Sequence, residues 1–124
     1  VLFRSIGYSI GTGAASWLAY KKKSKMLILK APFYNFNELS SHIVPYFPDQ
    51  FKKFSFETNT YLPKIKVPIY IFHGTKDRLI PYQNSVDLSL LLKPTDSLFA
   101  LKDVEHIGIS ENNVYQSKLK QFLK

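Results

Sequence analysis

The chain has 124 residues, 45% of them hydrophobic and 21% charged, with a formal net charge of +8. This composition is typical of a globular domain and excludes a disordered or fibrous chain. The absence of cysteine excludes disulfides and a cysteine nucleophile, and favours a reducing compartment such as the cytoplasm. No apolar run is long enough for a transmembrane segment, and no secretory signal is visible.

The basic residues are scattered, apart from Lys21-Lys22-Lys23 with Lys25 and the pair Lys52-Lys53. A nucleic-acid-binding surface would need a continuous basic face interleaved with stacking aromatic residues. The first run falls where the first predicted helix ends, and cations there suit the helix dipole. We therefore expect a solvated helix end and no nucleic-acid partner. A patch for an anionic partner remains an alternative, and the sequence does not determine the oligomeric state.

The first five residues fit a buried strand poorly. Val1-Leu2-Phe3 is apolar, but Arg4-Ser5 follows directly. A central strand of a parallel sheet is buried on both faces and should be almost wholly apolar. Residues 1–5 are therefore interpreted as a damaged or foreign end, and the chain as a piece whose upstream part is absent.

Helical and strand patterns alternate along the rest of the chain. Helices are predicted for Thr12 to Tyr20, Asn84 to Leu92 and Glu111 to Lys124, the last with Val114, Leu119, Phe122 and Leu123 as its apolar positions. Strands are predicted for Met26 to Leu29, Pro68 to Phe72 and Ser97 to Leu101. This order predicts an α/β fold of three layers, with a mostly parallel sheet of about four strands. A ligand site then belongs at the carboxyl ends of the strands.

The segment 33–61 differs from its surroundings because it is dense in phenylalanine and tyrosine and is broken by Pro45 and Pro48. Short helices are predicted after Asn35 or Asn37 and after Pro48. We interpret the segment as a small, lid-like insertion over the active edge of the sheet. Packing of these aromatic residues against the core is the alternative, and the two roles are compatible.

The pentapeptide Gly7-Tyr8-Ser9-Ile10-Gly11 has the form G-x-S-x-G of a nucleophile elbow. In that motif a strand turns sharply into a helix and exposes a strained serine at the apex. Small residues are expected at Gly7 and Gly11, because side chains there would meet the neighbouring strand and helix. Ser9 is therefore the candidate nucleophile.

A serine hydroxyl needs a base, and the base needs an orienting acid, in the chain order Ser, Asp or Glu, His. Asp77 follows the strand 68–72 and is the candidate acid, with local turn formation as its alternative role. Asp103 and Glu105 compete, but both lie too near the candidate base in sequence to fit this order.

His106 follows the last predicted strand and is the candidate base. Its rivals are His73, expected to make hydrogen bonds within its loop, and His42, which lies in the insertion. The three histidines lack the spacing of metal ligands, so no metal site is expected.

Together, Gly7-Tyr8-Ser9-Ile10-Gly11, the segment His73-Gly74-Thr75-Lys76-Asp77-Arg78-Leu79-Ile80-Pro81, and Glu105-His106 resemble the α/β-hydrolase superfamily. The resemblance is closest to its short-lidded serine hydrolases related to dienelactone hydrolases, prolyl-oligopeptidase-like domains and protein depalmitoylases. It extends from Ile6 to Lys124.

The resemblance implies a Ser9–Asp77–His106 triad, the Ile10 amide as one oxyanion donor, and no cofactor. The substrate would be a small molecule or an acylated group whose ester, thioester or amide bond is cleaved. A family domain has an eight-stranded sheet, so 1–124 would form only the C-terminal part of one domain. The second oxyanion donor would then lie outside the chain, and the fragment could be inactive.

A second interpretation belongs to a different functional class. The chain could be a non-catalytic folded remnant that binds a partner through its aromatic insertion or its basic surface. The filled positions at Ser9, Asp77 and His106 favour the enzyme, because a binding module need not keep all three.

Overall fold

A computed structural model describes residues 3–35 and 57–124 of the chain. The strands are β1 (Phe3–Tyr8), β2 (Ser24–Lys30), β3 (Ile69–Gly74) and β4 (Ser97–Leu101). The helices are α1 (Gly11–Lys21), α2 (Thr58–Tyr61), α3 (Gln83–Ser89) and α4 (Asn113–Phe122), and a 3₁₀ turn spans Leu62–Lys64. Within these ranges, no helix is both long and apolar enough to cross a membrane.

The strands form a four-stranded sheet in the order β1-β2-β3-β4, and each neighbouring pair is parallel. Each strand therefore lies beside the one that precedes it in the chain, and all four carboxyl ends reach the same edge. This confirms the parallel α/β sheet predicted from the alternating pattern. The crossovers also bring the loops that follow β1, β3 and β4 to that edge, where the candidate site residues lie.

Helices cover both faces of the sheet. On one face, Ala15 and Ala19 of α1 and Leu88 of α3 pack against the interior of β2 and β3. On the other face, Tyr115 of α4 packs with Phe72 and Leu101. The two central strands are buried on both sides, which fits their apolar sequences.

The start of the chain forms a strand despite its polar residues, which leaves the interpretation of residues 1–5 as a damaged or foreign end untested. Arg4 and Ser5 lie inside β1, which is an edge strand of the described sheet. Arg4 is exposed, whereas Ser5 is buried and its hydroxyl lies 3.3 Å from the Ser24 hydroxyl. The residues alternate between the two faces of the strand, so the polar pair is accommodated and β1 continues through it.

The structure corrects the predicted apolar face of the terminal helix. Val114 and Leu123, predicted as apolar anchors, are exposed, while Tyr115 is buried. Leu119 and Phe122 pack against the core as expected. The helix begins after Asn112, whose side-chain oxygen accepts hydrogen bonds from the Val114 and Tyr115 amides. This cap fixes the start of the helix, and the packing of Tyr115 against Phe72 determines which side faces the sheet.

The predicted insertion 33–61 falls mostly outside the described residues, as do the helices predicted after Asn35 or Asn37 and after Pro48. At its boundaries, Phe33 is buried and the Asn59 amide donates to the Tyr34 carbonyl. The short helix α2 and the 3₁₀ turn that follows it were not predicted.

Candidate active site

The turn after β1 holds the candidate nucleophile. Ser9 has a φ of 55°, in the left-handed region that a residue with a side chain seldom occupies. Its amide donates to the Lys30 carbonyl at 2.8 Å, and its carbonyl accepts from the Thr12 amide at 3.1 Å. The Thr12 hydroxyl donates to the same carbonyl at 2.6 Å. These bonds hold the strained backbone in place at the junction of β1 and α1.

The two elbow glycines differ in their surroundings. A Cβ added to Gly7 would lie 2.7 Å from the Ala15 Cβ and 2.9 Å from backbone atoms of Gly11 and Thr12. A Cβ added to Gly11 would meet no atom within 4 Å in the part of the chain that the structure describes. The steric requirement predicted for Gly7 is therefore confirmed, and the one predicted for Gly11 is wrong.

Ile10 separates Ser9 from the first residue of α1, and its φ of −58° is already helical. Its amide makes no hydrogen bond to any other described residue. An unpaired amide at the start of a helix can receive an incoming oxygen atom that carries negative charge.

The loops after β3 and β4 bring Asp77 and His106 into contact. His106 Nδ1 lies 2.6 Å from Asp77 Oδ2. The Asp77 carboxylate is inaccessible to solvent, and the His106 side chain is 13% exposed. Because a carboxylate can only accept, Nδ1 carries the proton, and the neutral ring then has its lone pair on Nε2.

Two backbone hydrogen bonds tie these loops together. The Thr75 amide donates to the Leu101 carbonyl at 3.0 Å, and the Lys76 amide donates to the Val104 carbonyl at 3.0 Å. Gly74 permits this approach, because an added Cβ would lie 2.0 Å from the Val104 carbonyl oxygen. The spacing between acid and histidine is therefore set by the backbone as well as by their own bond.

The other oxygen of Asp77 organises its own loop. Oδ1 accepts from the Leu79 amide at 2.9 Å and from the Ile80 amide at 2.8 Å. Burial acts to raise the pKa of Asp77, but the hydrogen bonds from His106, His73 and Ile80, together with the charge of His106, outweigh it. They hold the pKa well below its usual range. Asp77 is therefore ionised at neutral pH.

His73 is fully buried next to this pair. Its Nε2 lies 2.8 Å from the Ile80 carbonyl and 3.2 Å from Asp77 Oδ2, and its Nδ1 lies 2.6 Å from the Ser85 hydroxyl. Since Nε2 faces two acceptors it carries the proton, and Nδ1 accepts from the hydroxyl in the neutral ring. The predicted role in loop hydrogen bonding is confirmed, and the contact with Asp77 is an additional finding.

Tyr8 and Lys30 are neighbours of the candidate site that sequence reasoning missed. The Tyr8 hydroxyl donates to the His106 carbonyl at 2.6 Å, and the two rings stack with centroids 5.2 Å apart. Lys30 Nζ lies 5.3 Å from the centroid of the Tyr8 ring. Their position at the carboxyl ends of β1 and β2 could have indicated them, because the carboxyl ends of parallel strands lie at the same edge of the sheet.

The remaining candidates lie apart from this contact or outside the described residues. Asp103 forms an exposed ion pair with Lys76 at 3.5 Å, and Glu105 is exposed. His42 lies outside the described residues. No hydrogen bond links the Ser9 hydroxyl to His106 within the described ranges. The structure thus brings Asp77 and His106 together, and places Ser9 next to Tyr8, which contacts His106.

Across residues 3–35 and 57–124, no group of three or more His, Cys, Asp and Glu side chains could hold a metal ion. A pocket of about 200 Å³ adjoins His106. Its lining consists of Lys76, Arg78, Leu79, Glu105, His106 and Ile107.

Comparison with known proteins gives relatives in sequence but no matching family model. The human alpha/beta hydrolase domain-containing protein 17B is 30% identical over 121 residues, which cover 94% of this chain and 40% of that protein. The Escherichia coli K12 protein YfhR is 26% identical over 106 residues, covering 80% of this chain and 36% of YfhR. The chain thus spans about two fifths of the length of the curated relatives it matches.

Solved structures share the fold. A Pyrococcus furiosus esterase superposes with a TM-score of 0.77 at 18% identity, covering 98% of this chain and 52% of that one. The esterase domain of a Rhodothermus marinus protein gives a TM-score of 0.75 at 15% identity, over 97% of this chain and 57% of that one. These superpositions show that the chain has the α/β-hydrolase fold. The sequence similarity to the human protein supports membership of the α/β-hydrolase superfamily for the part of the protein that this chain represents.

Proposed function

We propose that the protein is a serine hydrolase that cleaves an ester, thioester or amide bond through an acyl-enzyme. The observation that carries this proposal is the 2.6 Å contact between His106 Nδ1 and the buried carboxylate of Asp77. This contact leaves a lone pair on the opposite ring nitrogen, as a general base requires. The strained Ser9 at the same edge of the sheet is the matching nucleophile.

In the proposed reaction, Ser9 Oγ attacks the substrate carbonyl carbon while His106 Nε2 accepts the hydroxyl proton. Asp77 stays ionised and stabilises the imidazolium that forms. The Ile10 amide donates to the oxygen that becomes negatively charged. His106 then gives its proton to the leaving group as the bond between that group and the acyl carbon breaks. Water attacks the acyl carbonyl while His106 Nε2 accepts its proton, and the proton returns to Ser9 Oγ as the acid is released.

The pocket beside His106 is the proposed place for the leaving group. Exposed apolar side chains of Leu79 and Ile107 line part of it, and the rest of the lining carries charges of both signs, from Lys76, Arg78 and Glu105. These surroundings suit a small molecule or an acylated substrate with an apolar portion.

The test is labelling of the full-length protein with a fluorophosphonate, which reacts with activated serines. We expect labelling of the wild type, none of Ser9→Ala, and labelling slowed at least about 1,000-fold in His106→Ala. Ser117→Ala is the matched control, because Ser117 is an exposed serine on α4. A wild type that is folded and never labels, or Ser9→Ala that labels like the wild type, would refute the proposal.

A further inference from the structure

Tyr8 connects the serine turn to the loop that carries His106. It is the last residue of β1 and directly precedes Ser9. Its hydroxyl donates to the His106 carbonyl at 2.6 Å, and its ring stacks on the imidazole at an interplanar angle of 27°. A single side chain therefore holds both the backbone and the ring of a residue 98 positions away.

Lys30 supports the same arrangement from β2. Its carbonyl accepts from the Ser9 amide at 2.8 Å, and its Nζ donates to the Ser110 hydroxyl at 3.0 Å. The ammonium group also lies near the Tyr8 ring, with Nζ 5.3 Å from the centroid. The segment from His106 to Ser110 is thus attached to the serine turn near both of its ends.

Within that segment, Ile109 is buried in the core, but the residue next to His106 is little restrained by packing. Ile107, directly after His106, is 87% exposed. Among residues 3–35 and 57–124, the hydrogen-bonding and ring contacts of the His106 side chain are the Asp77 bond at Nδ1 and the Tyr8 ring, and Tyr8 also binds the His106 carbonyl. Asp77 fixes one edge of the imidazole, but a bond at one edge leaves the ring free to tilt about it.

We propose that Tyr8 is a positioning residue that keeps the His106 imidazole in line with Ser9. This inference rests on the proposed function and adds to it a residue that does not touch the reacting atoms. A small displacement of a base from its near-attack geometry lowers the rate strongly, so restraint of ring tilt should appear in kcat. Burial and the negative charge of Asp77 both raise the pKa of Tyr8, which keeps its hydroxyl a donor at neutral pH.

The experiment compares Tyr8→Phe and Tyr8→Leu in the full-length protein, using p-nitrophenyl acetate turnover and fluorophosphonate labelling. Tyr8→Phe removes the hydrogen bond and keeps the ring, so kcat should fall about 3- to 10-fold. Tyr8→Leu also removes the stacking, so kcat should fall about 10- to 100-fold. KM should stay within about twofold in both, because Tyr8 acts on the base and not on the substrate.

Tyr20→Phe is the matched control. Tyr20 is 39% exposed against 41% for Tyr8, and it lies on α1 away from the histidine loop. It should retain wild-type kcat. Thermal unfolding of each variant separates loss of positioning from loss of fold. Tyr8→Phe should unfold within a few degrees of the wild type, because it removes a single hydrogen bond of a partly exposed side chain.

A wild-type kcat in Tyr8→Phe and Tyr8→Leu would overturn the inference. So would an increase in KM with unchanged kcat, which would make Tyr8 a substrate contact. In both cases Ser9-dependent labelling persists, so the proposed function stands. Absence of Ser9-dependent labelling in the folded wild type would instead remove the proposed function, and this inference with it.

Discussion

His73 and Asp77 meet in the interior of the protein, with His73 Nε2 3.2 Å from Asp77 Oδ2 and both side chains fully excluded from solvent. The Asp77 carboxylate that binds His106 therefore has a second imidazole, that of His73, in contact with the same oxygen. Replacing that imidazole should leave buried polar groups without partners, among them the Ser85 hydroxyl and the Ile80 carbonyl.

We predict that His73→Ala lowers the free energy of unfolding by about 2–4 kcal/mol. Ser85→Ala removes only the partner of Nδ1 and should cost about 1–2 kcal/mol. Urea denaturation at pH 7 measures both values. If the free energy of unfolding of His73→Ala lay within about 0.5 kcal/mol of the wild-type value, the buried hydrogen bonds of His73 would not contribute to stability.

The elbow glycines give a matched pair of variants. Gly7→Ala forces a Cβ to within 2.9 Å of α1 backbone atoms and should destabilise the protein by about 1–3 kcal/mol. Gly11→Ala enters open space at the start of α1 and should stabilise it by up to about 1 kcal/mol. Denaturant unfolding of the two variants provides the comparison, and equal destabilisation would contradict the geometry described for Gly11.

Gly74 should be at least as sensitive to substitution as Gly7, because it lies where the loops after β3 and β4 meet. The Cβ of Gly74→Ala would overlap the Val104 carbonyl oxygen, a backbone atom that cannot rotate away. We expect a loss of about 3 kcal/mol in unfolding free energy. Because Val104 lies two residues before His106, labelling of Ser9 should also slow in the fraction that remains folded.

Gly108→Ala serves as the control for Gly74→Ala. Its added Cβ would lie 3.2 Å from a side-chain carbon of Val104, which can adjust. Its cost should stay below about 1.5 kcal/mol. A Gly74→Ala protein with wild-type stability and labelling would show that the loops after β3 and β4 can separate without consequence.

Local patterns were sufficient to predict the parallel sheet and the contact partners Asp77 and His106, because each lies just past a strand with a clear apolar run. For Asp77, turn formation and pairing with a histidine had seemed to be alternatives. The structure shows both, with Oδ1 bonded to the Leu79 and Ile80 amides and Oδ2 to His106. The sequence identifies Asp77 as a carboxylate, but it does not show that one oxygen can stabilise the turn while the other binds a histidine.

Features that depend on distant contacts could not be predicted. The bond from Tyr8 to His106 requires the register of β1 and the shape of a loop near the other end of the chain. Arg4 fits a buried strand poorly in the sequence, because the burial of β1 on each face cannot be read from its sequence alone. The buried side of α4 is set by its packing on the sheet, where Tyr115 contacts Phe72 and Val114 is left exposed.

The ionisation of Asp77 should be visible in the pH dependence of stability. Its pKa in the folded protein lies well below the ordinary value of about 4 that it regains on unfolding. Its contribution to stability is therefore fully present above about pH 5, where both states are ionised. As the pH falls, the unfolded state takes up the proton first, and the contribution is progressively lost.

We predict that Asp77→Asn is less stable than the wild type at pH 7 and that the difference shrinks as the pH is lowered from about 5 to 3. Urea unfolding at half-unit intervals of pH gives the two curves, with Ser117→Ala as a variant that should follow the wild type throughout. The asparagine keeps the size of the side chain but removes its charge, so the change in slope between the curves isolates the titration of this carboxylate from the loss of packing. Parallel curves down to pH 3 would mean that the hydrogen bonds from His106, His73 and Ile80 do not favour the ionised form of Asp77. Asp77 would then not be the stabilised carboxylate that the proposed base His106 requires.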